Sequence, residues 1–259
     1  MQTKEDNNII DSISGENVYL FGGLIKSIEH GLSEVIRWRK YTIDGAEIEN
    51  DLQHSYSASL LAVLVIEAFE SEGWHLGGDA YRILACTLIH DIGEIGIGDT
   101  HYIDKTAKKD MDEIRSFKQT TDCLPINIKN RILDIFLIQF MSDNSRISHD
   151  IELKEELNDR NNLGYKHIGR TNVRIFEAIE RYGYLLYAFH NYKNRKDHSS
   201  KKLLVQVIRN QHNDLCRIAD EFWPFKKHFY PDVLQNKIIA LLGIYKDSIE
   251  IEQAVGKSE

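Results

Sequence analysis

Proline occupies only three of 259 positions, 125, 224 and 231. Between them, apolar residues recur at helical rather than strand spacing. Proline ends helices, and period-2 alternation is the mark of half-buried strands. A chain with so little of either is confined to an all-α fold. The periodicity predicts helices over about residues 19–37, 54–71, 80–90, 108–120, 126–141, 172–192, 201–223 and 231–245. In the second, Leu60, Leu61, Leu64, Val65, Ala68 and Phe69 form a broad apolar face. The segment 108–120 reads as a polar, exposed helix, and 126–141 as core. The Gly-containing segment 72–79 is a turn. Residues 142–169, rich in Asn, Asp, Glu and Lys, are the least structured part, and 143–169 is expected to be an insertion or lid. The polar tail spans 246–259. No internal repeat, low-complexity tract or linker interrupts the chain, so one domain, 1–259, is the economical organisation.

The three cysteines, Cys86, Cys123 and Cys216, are far apart. That spacing argues against a disulfide framework and against a Cys-based zinc site. The N-terminus, MQTKEDNNIIDS, lacks the basic start and apolar stretch of a signal peptide. The longest apolar run, near 60–69, is interrupted by Glu67 and is short for a bilayer span. A cytoplasmic, reduced protein without a membrane partner is expected. The formal net charge of −8 disfavours a broad grip on nucleic-acid backbone. It leaves room for a small anionic substrate, because a metal or a few local cations can reverse the sign within a pocket.

The segment LACTLIHDIGEIGIGD, residues 84–99, opens as an apolar helix and ends with His90, Asp91, Glu94 and Asp99. Carboxylates at a helix C-terminus oppose the macrodipole, so another group should hold them. His54 opens the preceding helix. Two antiparallel helices joined by a short turn bring the start of the first near the end of the second, so His54 and His90 can meet. Imidazole and carboxylate together suit Mn, Co, Fe, Ni or Zn. Most of the eleven histidines are expected to be surface or core residues, and a His-Asp dipeptide alone says little. The placement of both His54 and His90 at helix ends, with Glu94 and Asp99 close behind, is what points to a metal.

His54, then HDIGEIGIGD with His90–Asp91, Glu94 and Gly98–Asp99, resembles the HD-domain metal-dependent phosphohydrolases. The Arg37–Trp38 pair in VIRWRKY makes it most similar to their 5′-deoxynucleotidase branch. The resemblance is specific from about residue 37 to 99 and only topological from there to about 192. It implies an all-α HD-domain helical bundle and hydrolysis of (deoxy)nucleoside 5′-monophosphates. It also implies a divalent cation: Co or Mn, with Mg, Fe, Ni and Zn compatible. His54, His90 and Asp91 would be ligands. The family's last ligand is an Asp on a late helix. The corresponding stretch here, RIFEAIERYGYLLYAF, has none; Glu180 falls at the ligand position, with Glu177 on the same face and Asp197 and Asp214 as fallbacks. Gln53 stands before His54 where the family often has an acidic residue.

By the same resemblance, Glu94 orients or deprotonates the attacking water and Asp99 assists proton transfer to the leaving 5′-oxygen. Arg37 clamps phosphate and Trp38 packs along sugar or base. In DTHYIDKTAKK, His101, Lys105, Lys108 and Lys109 are further candidate phosphate contacts, although a basic surface helix start is the commoner meaning of such a run. The aromatic stretch EFWPFKKHFYP, 221–231, reads as core or subunit contact, and a homodimer is expected. Two alternatives remain: an HD hydrolase of a triphosphate, cyclic nucleotide or alarmone, and a catalytically weak nucleotide-binding HD scaffold.

Overall fold

In the computed structural model, residues 16–37, 49–100, 105–141, 147, 150–162, 170–194 and 198–255 are described. Trp38, His101 and Asp197 lie outside them. Ten α-helices run in order among the described residues: α1 Glu16–Glu34, α2 Asp51–Ser71, α3 Gly78–Ile89, α4 Ala107–Thr120, α5 Ile126–Phe136, α6 Ile151–Asn162, α7 Arg170–Asn194, α8 His198–Glu221, α9 Trp223–His228 and α10 Asp232–Val255. Two 3-10 turns, His90–Glu94 and Leu137–Phe140, follow α3 and α5. The only extended pairing among the described residues is an antiparallel bridge between Ile36 and Asn50. The fold is all-α, as the helical periodicity requires.

The described residues fall into two compact units. The first comprises residues 16–37, 49–55, 89–100, 105–141, 147 and 150–162, and the second 56–88, 170–194 and 198–255. In the first unit the core is Leu32, Ile92, Met111, Ile114, Phe117, Leu133, Phe136, Leu137, Phe140, Leu153 and Leu157. Phe117 and Phe136 stack with ring centroids 4.0 Å apart. Two sequence expectations change here. The segment around α4 is not an exposed helix. Its narrow stripe of Met111, Ile114 and Phe117 is buried, and Asp110, Glu113 and Ser116 beside it are buried as well. Few apolar residues on α4 mask this, because part of the inward face is polar. The segment expected as loop or lid contains helix α6, whose Leu153 and Leu157, one turn apart, enter the core.

In the second unit, Phe69, Trp74 and Phe222 form an aromatic cluster with centroids 5.7–5.8 Å apart. Phe222, Phe225 and Tyr230 of the C-terminal aromatic stretch are buried, whereas Trp223 is exposed. Most of that stretch is therefore core. Pro224 sits in the first turn of α9, where a missing N–H costs nothing, so the proline starts a short helix.

Helix α2 is longer than the apolar run that marks it. By length and composition alone it is long enough to cross a membrane, contrary to the reading from 60–69. Its first turn is polar: Asp51 is fully buried and Arg37 donates to it. The start of α2 is fixed by a capping box. Gln53 N donates to Asn50 Oδ1 at 2.9 Å, and Asn50 N donates to Gln53 Oε1 at 3.1 Å. Gln53 thus sets where the helix bearing His54 begins.

Candidate metal centre

The candidate site is built from three local structures of the first unit. The capping box and the backbone bonds Arg37 N to Glu49 O (2.9 Å) and Asp51 N to Val35 O (3.1 Å) tie the chain before α2 to the chain after α1. This brings Arg37, Asp51, His54 and Ser55 to one place. Helix α3 ends at Ile89, and the tighter His90–Glu94 turn re-aims the chain, burying His90, Asp91 and Glu94 together. Gly96 and Gly98 then take φ of +86° and +83°, a region that L side chains rarely enter; this accounts for the glycines of GEIGIGD. Third, α4 packs against the turn. A Cβ on Gly93 would lie 2.7 Å from the Glu113 carbonyl oxygen, and Ser116 Oγ donates to Ile95 O at 2.7 Å.

His54 and His90 meet as the sequence predicts. Their ring centroids are 5.3 Å apart at an interplanar angle of 64°. Asp91 Oδ1 lies 3.1 Å from His90 Nε2. Asp91 Oδ2 accepts from Arg37 Nη1 at 3.1 Å and from Ser55 Oγ at 3.3 Å. Arg37 Nη1 also donates to Asp51 Oδ1 at 3.3 Å. Behind the rings, His54 Nδ1 is 3.9 Å from Glu49 Oε1, and Gln139 Nε2 donates to the His90 carbonyl at 2.8 Å. Such outer contacts fix the orientation of ligating imidazoles. Glu94 Oε1 is 3.8 Å from Lys105 Nζ, which pairs in turn with Glu113 Oε1 at 3.2 Å. Asp99 is half-buried just beyond the turn. Glu180 stands on α7 in the second unit, also half-buried. Its neighbour Glu177 is taken up by Arg174 and Arg181, and the fallback Asp214 by Arg181 and Arg217.

The residues fit a divalent cation. Asp51, Asp91, Glu94 and Glu113 are all buried, and the Arg and Lys side chains set against them in the contacts above are Arg37 and Lys105. Fully ionised, four carboxylates against these two side chains would leave two formal negative charges in excess, and a bound cation would favour that ionised state. Asp51 Oδ2 and Glu94 Oε2 are buried without a hydrogen-bond partner among the described residues. Buried acceptors left unmatched are costly, and a cation relieves both the charge and the vacancy. Imidazole nitrogens beside carboxylate oxygens suit a transition metal.

The electrostatics agree. Burial, reinforced by the charge of Asp91 and opposed by Arg37, lifts the Asp51 carboxyl from 3.8 to about 8. Burial first, then the charge of Asp91, pushes Glu94 well above the carboxylate range, with Lys105 opposing. A carboxyl held in that state can carry a proton near neutral pH.

Sequence reasoning missed Asp51, Ser55, Gln139 and Glu113. Asp51 looks like an ordinary acid in a first helical turn. Glu113 betrays itself only by lying between Met111 and Ile114 on the buried side of α4. Arg37, expected as a phosphate clamp, is buried against Asp91 and Asp51 and so orients carboxylates in this structure.

The family model described as HD domain matches residues 32–223. Among solved structures, the chain is similar to a predicted metal-dependent phosphohydrolase from Magnetospirillum magnetotacticum MS-1, at 19% identity and a TM-score of 0.47, covering 79% of this chain and 91% of that one. No curated protein matches. With the family match spanning most of its length, the chain belongs to the HD-domain family.

Proposed function

We propose that the chain is a metal-dependent phosphohydrolase that removes phosphate from deoxynucleoside 5′-monophosphates. The observation that carries this reading is the convergence of His54, His90 and Asp91 beside a buried Glu94, in a cluster with surplus negative charge. His54, His90, Asp91 and Glu180 would hold a divalent cation. When bound, that cation supplies positive charge that lowers the pKa of water and polarises the P–O bond. The cation's charge would favour the ionised form of Glu94, and in that form Glu94 orients the attacking water or takes its proton. Asp99 assists proton transfer to the departing 5′-oxygen, so that orthophosphate and the nucleoside leave as products. Arg37 keeps Asp91 in place, and Trp38 is the residue the resemblance assigns to the sugar or base. The substrate class comes from the resemblance of 37–99 to the 5′-deoxynucleotidase branch.

The test is a panel assay on purified protein with Mn²⁺ or Co²⁺. Orthophosphate should appear from dAMP, dGMP or dTMP. Pyrophosphate or triphosphate release from a nucleoside triphosphate would instead indicate another HD chemistry at the same site. Failure to bind any divalent metal, together with no phosphate release, would sink the proposal.

A further inference from the structure

A phosphate ester brings two negative charges to a site already rich in carboxylates, so some side-chain cation must be accessible to it. Arg37 and Lys105 are the cations paired with the cluster, and they differ sharply. The Arg37 side chain is 4% exposed, and one of its nitrogens serves both Asp51 and Asp91. The Lys105 side chain is 22% exposed and stands at the edge of the cluster, 3.8 Å from Glu94 and 3.2 Å from Glu113. We propose that Lys105 receives the phosphate group of the substrate and that Glu113, buried beneath it, is the positioning residue that fixes its ammonium. The inference rests on the phosphohydrolase reading in naming a phosphate.

Glu113 is suited to that task because it cannot move. It is 1% exposed, and α4 is locked to the catalytic turn at the same level. The Glu113 carbonyl occupies the space a Gly93 Cβ would need, and Ser116 holds Ile95 O one turn along. Lys105 is anchored from the other side. It directly precedes Thr106, whose Oγ1 caps α4 by accepting from Lys109 N at 3.4 Å. A free lysine loses considerable rotamer entropy on binding an anion. An ammonium already held by a buried carboxylate has lost that freedom beforehand, and its compact charge has three donors to share. The start of α4 adds a favourable partial positive charge for an anion nearby. A purely structural ion pair would explain the Glu113 contact but not the placement of Lys105 beside Glu94 at the partly open edge.

Isothermal titration with inorganic phosphate, with and without Mn²⁺, tests this on the full chain. Lys105→Met should weaken phosphate binding about tenfold or more, the size expected for losing one charge-assisted hydrogen bond. Lys105→Arg should stay within about threefold of the original, because the charge is kept. Glu113→Gln, assayed at saturating Mn²⁺, should weaken phosphate binding by a larger factor than it changes Mn²⁺ affinity, a split that a merely structural role would not give. The double variant Lys105→Met/Glu113→Gln removes both charges. It avoids leaving Glu113 buried without its cation, and should bind phosphate as weakly as Lys105→Met. Equal phosphate binding by the original chain and the double variant, with hydrolysis intact, overturns the assignment and leaves the hydrolase reading in place. Loss of phosphate binding in the variants, with no hydrolysis by the original chain, sustains the assignment and overturns the hydrolase reading.

Discussion

Arg37 Nη1 lies 3.1 Å from Asp91 Oδ2, joining residues 54 positions apart in sequence, and both partners are buried. A buried ion pair is not strong evidence of stability by itself, because desolvation offsets most of the attraction. Removing one partner is another matter. Arg37→Met would leave Asp51 and Asp91 buried without their shared cation, at a cost of roughly 3–5 kcal/mol. Urea denaturation in EDTA should show that loss. Added Mn²⁺ should restore part of it, since a divalent cation compensates the same carboxylates. A variant as stable as the original chain would show that Arg37 does not hold the site together.

The pH dependence of the metal-free protein should run opposite to that of an ordinary salt-bridged carboxylate. Asp51 ionises at about 8 when folded, against 3.8 for the free side chain. Between those values the folded chain keeps a proton that the unfolded chain has lost. Stability from this group therefore falls as pH rises from about 4 to about 8, by up to about 1.4 kcal/mol per pH unit, and levels off above. Denaturation midpoints measured in EDTA across this range should show the decline. Asp51→Asn should flatten it, and Mn²⁺ should flatten it too, by favouring the ionised carboxylate. An unchanged slope in Asp51→Asn would assign the effect to another group.

Two glycines near the turn should respond differently to alanine. A Cβ at Gly93 would meet the Glu113 carbonyl at 2.7 Å and the Phe136 ring at 2.8 Å. Backbone and a stacked core ring cannot easily retreat, so Gly93→Ala should cost about 1–3 kcal/mol and weaken metal binding by displacing the turn. At Gly31 the close atom belongs to the Ile95 side chain, also at 2.7 Å, which can rotate away. Gly31 lies within α1, where alanine gains up to about 1 kcal/mol in helix propensity. Gly31→Ala should therefore be close to neutral. Thermal melting of the two variants compares them directly, and equal losses would refute the distinction.

What the sequence revealed and what it hid divide along physical lines. Helical content was legible because apolar periodicity and the shortage of proline are local properties of the chain. The approach of His54 to His90 was legible because a helical hairpin dictates it. The role of Gln53 was not, because a capping box with Asn50 and a solvated loop residue share the same letters until the backbone bonds are seen. The inward face of α4 was hidden for a related reason. Asp110 and Glu113 are buried, and Glu113 is met by Lys105 from just before the helix, so a pattern of apolar residues cannot announce that inward face. Helix α6 was missed because it enters the core with little more than Leu153 and Leu157, too sparse a signal against its Asn- and Glu-rich surroundings.

The two acids of α7 offer the sharpest separation between a ligand and a structural carboxylate. Glu177 accepts from Arg181 Nε at 2.8 Å and also pairs with Arg174, which reaches Glu221 at 3.0 Å. Its charge is spent within the second unit. Glu180 is the carboxylate proposed to complete the cation site. Glu177→Ala should therefore lower the unfolding free energy by about 1–3 kcal/mol, the range for losing hydrogen bonds to charged partners, and leave Mn²⁺ affinity unaltered. Glu180→Ala should do the reverse: Mn²⁺ affinity and phosphate release fall tenfold or more, a far larger effect than on Mn²⁺ binding by Glu177→Ala. Titration calorimetry with Mn²⁺ and thermal melting, run on both variants, read the two effects separately. If Glu180→Ala kept full Mn²⁺ affinity, the late ligand would have to be sought elsewhere in the chain, and the scaffold alternative would gain.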